Sequence, residues 1–327
     1  MAQQTERSAE HILPLLAKGD FGLILTEPVH ALLARMVTSD ANNRLIARLA
    51  RLATRLRPGK QAALARLYAA LLGGRAANMP DPAEYATDLI EAQLLQRMFY
   101  ARLAKDATWR PEFTVRGAEH VAQARRDNRG IVFWTIPQEI TALLLRMTCH
   151  DRQWDLHHLS HRMHGQSVSR LGMAVFNRRD CRIEDHLSKR IWMTEETTKL
   201  ALTQASAVVT SGGCVGFRGI GWSKRPMYFP FFEGHIHLAF GAPVLARRTG
   251  ATLLTVAANK TDTGFELMFE PLAVDKSRSL NDVGQDFVGR LEKAVVQSPG
   301  LWPAKSRQWA AGAPPVPFGE RTVPARP

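Results

Sequence analysis

The sequence is poor in cysteine and has no long apolar run. Its three cysteines, Cys149, Cys181 and Cys214, are odd in number and show no C-x-x-C spacing. That argues against a disulfide framework or a thiolate zinc site and fits a reducing cytoplasm. No uncharged apolar stretch reaches the ~18 residues that a spanning helix needs. The opening segment, MAQQTERSAEHILPLLAKGD, has no basic region followed by an apolar core, so no signal peptide is expected there. No internal repeat is visible, and no helix-turn-helix, RRM or zinc-finger pattern directs the chain to nucleic acid. Acid is the scarcer charge: 30 Asp+Glu stand against 43 Lys+Arg, a net charge of +13. Such an excess favours an anionic partner, a phospholipid surface or a phosphorylated small molecule or carrier. A genome that uses arginine freely explains it equally well.

What remains is a globular chain, 45% hydrophobic, long enough for one large α/β unit with additions. Residues 1–110 read as helical. The segment Pro28–Leu56 carries an apolar stripe through Leu32, Leu45, Leu49 and Leu52, opposed by Arg44, Arg48, Arg51, Arg55 and Arg57. It reads either as a basic helix on an anionic membrane or as a packing helix with a solvated arginine face. Lys60–Leu72 and Pro82–Lys105 read as further helices, the second led by Asp81 as cap and Pro82 in the first turn.

From residue 111 to 309 strands alternate with helices, which predicts a largely parallel sheet flanked by helices. Strands are expected at Gly130–Ile136, Trp154–Leu159, Ala207–Thr210, Ala251–Ala258 and Glu266–Val274. Helices are expected at Thr141–Met147, Arg190–Ala205 and Val283–Val296. The stretch from Met227 reads as an aromatic strand to Phe232, a break at Glu233-Gly234, and a helix His235–Arg248 closed by Gly250. The tail, 310–327, is Pro-rich and expected to be disordered.

Several of these segments carry a family likeness. The turn Pro230-Phe-Phe-Glu-Gly234, the helix end Ala246-Arg-Arg-Thr-Gly-Ala251 and the strand ending at Asn259 resemble the lipid A late acyltransferases (lauroyl/myristoyl type) of the lysophospholipid acyltransferase superfamily. Phe113–Arg129 is similar to that family's V-x-G-x-E-H-L segment, and Ser298–Trp309 to its closing P-x-x-W…R-x-W segment. The likeness runs from about Leu45 to Trp309. It implies acyl transfer from an acyl-CoA or acyl-carrier-protein thioester, with no resident cofactor or metal. It also implies a cytoplasmic protein peripheral to the inner membrane, since the N-terminal anchoring helix of many such enzymes is missing here.

The family's His-x-x-x-x-Glu/Asp dyad follows the first buried strand. Aligned there, Pro137 occupies the His position and Ala142 the acid position. Neither can move a proton, so the usual mechanism cannot run from these positions. Three replacements can be considered. His150 and Asp155 have the right spacing, but with 11 His and 30 acids about one such pair arises by chance, and it sits at the wrong end of the sheet. Glu139 lies at the right strand end, as a carboxylate base or as a first-turn acid favoured by the helix dipole. Cys214, in SGGCVGFRG, is a nucleophile beside Gly212 and Gly213 or a small apolar residue.

His157, His158, His161 and His164 invite a metal reading. A strand over Trp154–Leu159 would put His157 and His158 on opposite faces and defeat it. His235 and His237 either line a pocket or begin the helix. For anion binding the resemblance directs attention to Arg170–Arg182, with Arg170, Arg178, Arg179 and Arg182. Arg218, Lys224 and Arg225 lie near a second strand-end loop, and Phe232 and Gly234 form the family's turn. The family's Asp-Gln after its third strand is replaced by Ser211-Gly212. Two functions follow: an acyltransferase-like enzyme with rebuilt catalysis, or a catalytically inactive relative that binds a lipid or acyl carrier for a partner.

Overall fold

The computed structural model describes residues 13–36, 39–73, 81–161, 165, 167–194, 196–220, 226–303 and 309–311. His164, Lys224, Arg225 and the tail beyond 311 lie outside these.

Among the described residues four helices come first: α1 (Lys18–Met36), α2 (Ser39–Leu56), α3 (Pro58–Leu72) and α4 (Pro82–Lys105). They form the helical region read from the sequence, although the stripe assigned to Pro28–Leu56 spans two helices and Pro28 lies inside α1. The start of α4 is as read: Asp81 accepts the Ala83 N–H at 2.8 Å and Pro82 occupies the first turn. α4 is the hub, packing against α1, α2 and α3 on one side and the sheet on the other. α2 spends Ile46 and Ala50 on this packing and turns Arg44, Arg48, Arg51 and Arg55 to solvent.

α1 is pinned from its buried side. The Asp20 carboxylate accepts the Ala17 N–H at 2.7 Å and the Ser167 hydroxyl. These bonds, the Ala17 N–H foremost, hold its carboxyl below the ordinary 3.8 against the opposing pull of burial. A folded pKa below the unfolded one gives stability that is complete above 3.8 and fades as pH falls through the lower folded value. Thermal unfolding from about pH 5 to about pH 2 should therefore lose stability more steeply in the wild type than in Asp20→Asn. Equal slopes would contradict this role.

The remaining elements, in chain order, are β1 (Phe113–Arg116), α5 (Ala118–Arg126), β2 (Ile131–Thr135), α6 (Thr141–Asp151) and β3 (Leu156–His161). A short turn, Arg170–Gly172, and a π-helical stretch, Met173–Asn177, lead into α7 (Arg178–Leu187). Then come β4 (Lys189–Met193), α8 (Thr198–Thr210), β5 (Cys214–Arg218), β6 (Met227–Phe231), β7 (Gly234–Leu238) and α9 (Gly241–Thr249). The chain closes with β8 (Thr252–Lys260), β9 (Phe265–Pro271), α10 (Leu280–Gln297), a 3-10 turn at Pro299–Leu301 and β10 (Trp309–Ala311).

Seven strands form one sheet in the order β1-β9-β8-β2-β5-β3-β4, and every neighbouring pair is parallel except β8–β9. The fold is therefore α/β with a mostly parallel sheet, as the alternation implied. β2 is buried along its whole length because helices cover both faces. Val132 and Trp134 face a core shared with α8, α9 and α10, where Trp134 stacks on Phe287 at 3.8 Å. Ile131 and Phe133 face a second core shared with α4, α5 and α6.

Three assignments need correction. Ala207–Thr210 is not a strand but the last turn of α8. Ala201, Ala205 and Val209 recur every four residues and are buried together, so packing made a helix end of a run that looks strand-like. The strand comes later, at β5, after the Gly212-Gly213 turn. The helix expected over Arg190–Ala205 begins only at Thr198, because Lys189–Met193 pairs with β3. Nor does His235 open a helix: Phe232 and Glu233 close a tight hairpin, and β7 returns antiparallel along β6. β10 then adds to β7, giving a small sheet ordered β10-β7-β6. The Gly250 cap is as read, left-handed at φ 70°.

Candidate functional site

In an open parallel sheet, ligands bind beyond the carboxyl ends of the strands, where the chain leaves in both directions. β2 is such a strand. The chain runs from it to β3 on one side, then returns through β5 and crosses to β8 on the other. A cleft of about 490 Å³ opens at this point, over the ends of β2 and β5.

The segment after β2 is built to hold still. Ile136 N–H donates to Val256 at 2.8 Å. The Gln138 amide donates to the Ala258 carbonyl and accepts the Ala258 N–H, both at 2.8 Å, and Thr141 donates to the same Gln138 oxygen at 3.0 Å. Glu139 N–H donates to the Leu301 carbonyl at 2.9 Å. Gln96 donates to the Glu139 backbone oxygen, and Gln93 donates to its carboxylate at 3.2 Å. Loop, β8, α4 and the 3-10 turn thus fix the Glu139 carboxylate at the cleft wall.

Arginines dominate the rest. Arg97 (α4), Arg146 (α6) and Arg218 (β5) all line the cleft. Arg97 donates to Thr26 at 3.1 Å. Arg218 has no ion pair among the described residues. Its side chain reaches solvent at the cleft mouth but is crowded by protein. That burial lowers its pKa, with Glu139 opposing and Arg146 reinforcing the shift. Arg146 is 7% exposed, and its Nε meets no partner among the described residues.

Behind the wall is a buried ionic network. Glu184 accepts from the Tyr100 hydroxyl at 2.6 Å and Arg190 at 2.9 Å, and pairs with the Arg146 guanidinium at 3.3 Å. Burial, then Glu184, pushes the Tyr100 phenol well above its usual range. Arg190 also donates to Ser160 at 2.7 Å and Asp185 at 2.8 Å. Ser188 bonds His158 Nδ1 at 3.0 Å, while Nε2 of the same ring stands 3.9 Å from Glu184. Of the carboxylates along the cleft, Glu184 is shared between Arg146 and Arg190, and Asp180 is held by Arg179 at 2.8 Å. That leaves Arg97 and Arg218, neither in an ion pair among the described residues, against Glu139, so the cleft carries an excess of positive charge.

Of the residues singled out from the sequence, Glu139, Arg218, Pro137 and Ala142 meet here. Others do not. Arg170 and Arg178 lie exposed on the outer surface, away from the cleft lining, and Arg179 is held between Glu27 and Asp180. Cys214 opens β5 at the opposite end of the sheet, fully buried, and burial pushes its thiol up to about 12. It is neither a thiolate nor reachable from the cleft. Gly212 and Gly213 form the turn at that same far end, Gly212 at φ 85°. Phe232 and Gly234 shape the hairpin: a Cβ on Gly234 would stand 2.3 Å from the Ala310 carbonyl. His150 and Asp155 lie at the far end too, where Asp155 pairs with Lys189 at 2.8 Å. His157 and His158 point to opposite sides, as strand geometry requires, and His237 is half-buried in β7. Among the described residues no cluster of three metal-ligating side chains forms.

The residues that sequence reading missed are Arg97, Tyr100, Arg146 and Glu184, and it weighed His158 only as a metal ligand. One signal was present: Arg146 interrupts the apolar run Leu143–Met147, where an unpaired charge could not be buried. The chain matches no protein-family model and no curated protein.

Proposed function

We propose that this protein is acyltransferase-like and that its cleft holds the phosphate-bearing end of an acyl thioester, acyl-CoA or acyl-carrier-protein. The observation that carries the reading is the convergence of Arg97, Arg146 and Arg218 on the strand-end cleft. Guanidinium forks bind phosphate bidentately, and more strongly in a site partly shielded from water. Pro137 and Ala142 line the same cleft, so the position where the resembled enzymes keep their dyad coincides with the anion site.

In this reading Glu139 is the base. Its carboxylate takes the proton of an acceptor hydroxyl, the oxygen attacks the thioester carbonyl, the C–S bond breaks, and the leaving thiolate is protonated as the ester forms. Pro137 and Ala142 favour a second reading, a binding protein that presents an acylated carrier or anionic lipid to a partner enzyme. Native mass spectrometry and turnover assays with long-chain acyl-CoA separate the two. Binding with turnover that Glu139→Gln removes supports catalysis. Binding unaffected by Glu139→Gln, without turnover, supports the carrier role. No binding overturns both.

Among the described residues no helix is long and apolar enough to cross a membrane. A cytoplasmic location with peripheral contact at the inner membrane accords with this reading.

A further inference from the structure

α1 is built inside out. Its charged and polar residues Asp20, Glu27 and His30 are buried, at 1%, 5% and 5% exposure. Leu23 is buried, but most of its large apolar residues face out: Phe21 is 58% exposed, Leu25 73%, Val29 50% and Leu32 55%. A helix on a soluble surface normally does the reverse. The inversion is fixed by the fold, because Asp20 is bonded to Ser167 and Glu27 to Arg179. The apolar face extends beyond the helix. Leu15 and Leu16 precede it, and Arg170 and Leu171 donate their N–H groups to the Pro14 and Leu15 carbonyls at 2.9 and 3.1 Å. That seam brings exposed Val168, Leu171 and Val175 alongside.

The charges on this face have one sign. Lys18 and Arg35 are exposed on α1, and both acids of α1 are turned inward. Arg170 and Arg178 are exposed on the adjoining segment, which has no acid from Ser167 to Arg179.

We propose that this surface seats the protein on an anionic phospholipid bilayer, with α1 in the interfacial plane. An apolar face rimmed by Lys and Arg matches the acyl boundary and the anionic headgroups together. A second copy fits less well, since a two-fold contact would set these cations against their own images without acids to neutralise them. The arginine-rich half of the stripe singled out in the sequence is α2, which buries Ile46 and Ala50 and exposes only Leu52 and Leu56 beside its arginines, whereas α1 leaves a longer apolar face open, Val29 and Leu32 included. The proposal rests on α1 and the segment beside it and stands whether or not the cleft binds a thioester.

Flotation with vesicles of phosphatidylcholine and phosphatidylglycerol at about 7:3, at physiological salt, tests it. Wild-type protein should float, and binding should weaken on pure phosphatidylcholine and as salt rises, since surface charges are screened over ~8 Å. The double variant F21E/L25E should lose at least ~10-fold in affinity, since both side chains would otherwise leave water. L52E/L56E, on α2, should bind as wild type. Should F21E/L25E fail to fold, photolabelling of wild-type protein by a diazirine phospholipid decides: labels must fall within residues 15–35 and 168–175. The proposal is overturned by no binding to anionic vesicles, by undiminished binding of a folded F21E/L25E, or by labels elsewhere. A wild-type dimer that F21E/L25E converts to a monomer would also overturn it.

Discussion

Glu184→Ala is expected to destabilise the protein by about 3–5 kcal/mol, the usual cost of removing one partner from a buried ion pair. The carboxylate is 1% exposed and meets two guanidinium groups, those of Arg146 and Arg190, besides the Tyr100 hydroxyl. Removing it leaves two buried cations facing each other and a phenol without its acceptor. Arg190 retains Asp185 and Ser160, but Arg146 retains nothing comparable among the described residues. Glu184→Gln keeps the shape and loses the charge, so it should fall between wild type and alanine. Urea denaturation monitored by tryptophan fluorescence would measure all three. A loss under about 1 kcal/mol for the alanine variant would mean that the network is as weak as a surface pair. The cleft would then lack the rigid wall ascribed to it.

The second large effect concerns acyl transfer. A group placed as general base typically contributes ~10²–10⁴-fold in rate. If the protein transfers acyl groups, Glu139→Gln should lower kcat by that factor and leave binding of the thioester largely unchanged, because the three arginines remain. Transfer to the sugar hydroxyl of a lipid A precursor should be negligible even in the wild type, since Pro137 and Ala142 cannot supply the dyad. Ordinary enzymatic rates on that acceptor would show that proton transfer is done elsewhere. Loss of those rates in His150→Ala would identify the pair at the far end of the sheet as the working one, against its placement here.

Local chemistry made much of the fold legible. Asp81-Pro82 announces α4, Gly250 closes α9, and the continuous apolar runs of β2 and β8 mark the buried centre of the sheet. Ala207–Thr210 misled because a β-branched helix end and a short strand share a composition, and only the burial of Ala201, Ala205 and Val209 on one face decides. His235–Leu238 misled because its partner strand is needed to tell a hairpin return from a helix start.

The site was legible only where it is local. Glu139 could be placed at a strand end from the segment around it. Tyr100, Arg146, His158 and Glu184 come from α4, α6, β3 and α7, far apart in the chain, and meet only once these elements pack. Cys214 shows the converse. Glycine neighbours suggested an accessible loop, but they end a helix before a buried strand.

We propose that the arginine-lined cleft binds an anionic acyl thioester. Isothermal titration of long-chain acyl-CoA into wild-type protein and Arg218→Ala tests it most directly. Arg218 reaches the cleft mouth and holds no ion pair among the described residues, so its removal should leave the fold intact. We expect saturable one-to-one binding to wild type, weakened roughly 10-fold or more in Arg218→Ala, as befits loss of a charge-assisted hydrogen bond worth about 1.5–3 kcal/mol. Equal affinity in the two proteins, or no binding to either, would contradict the account.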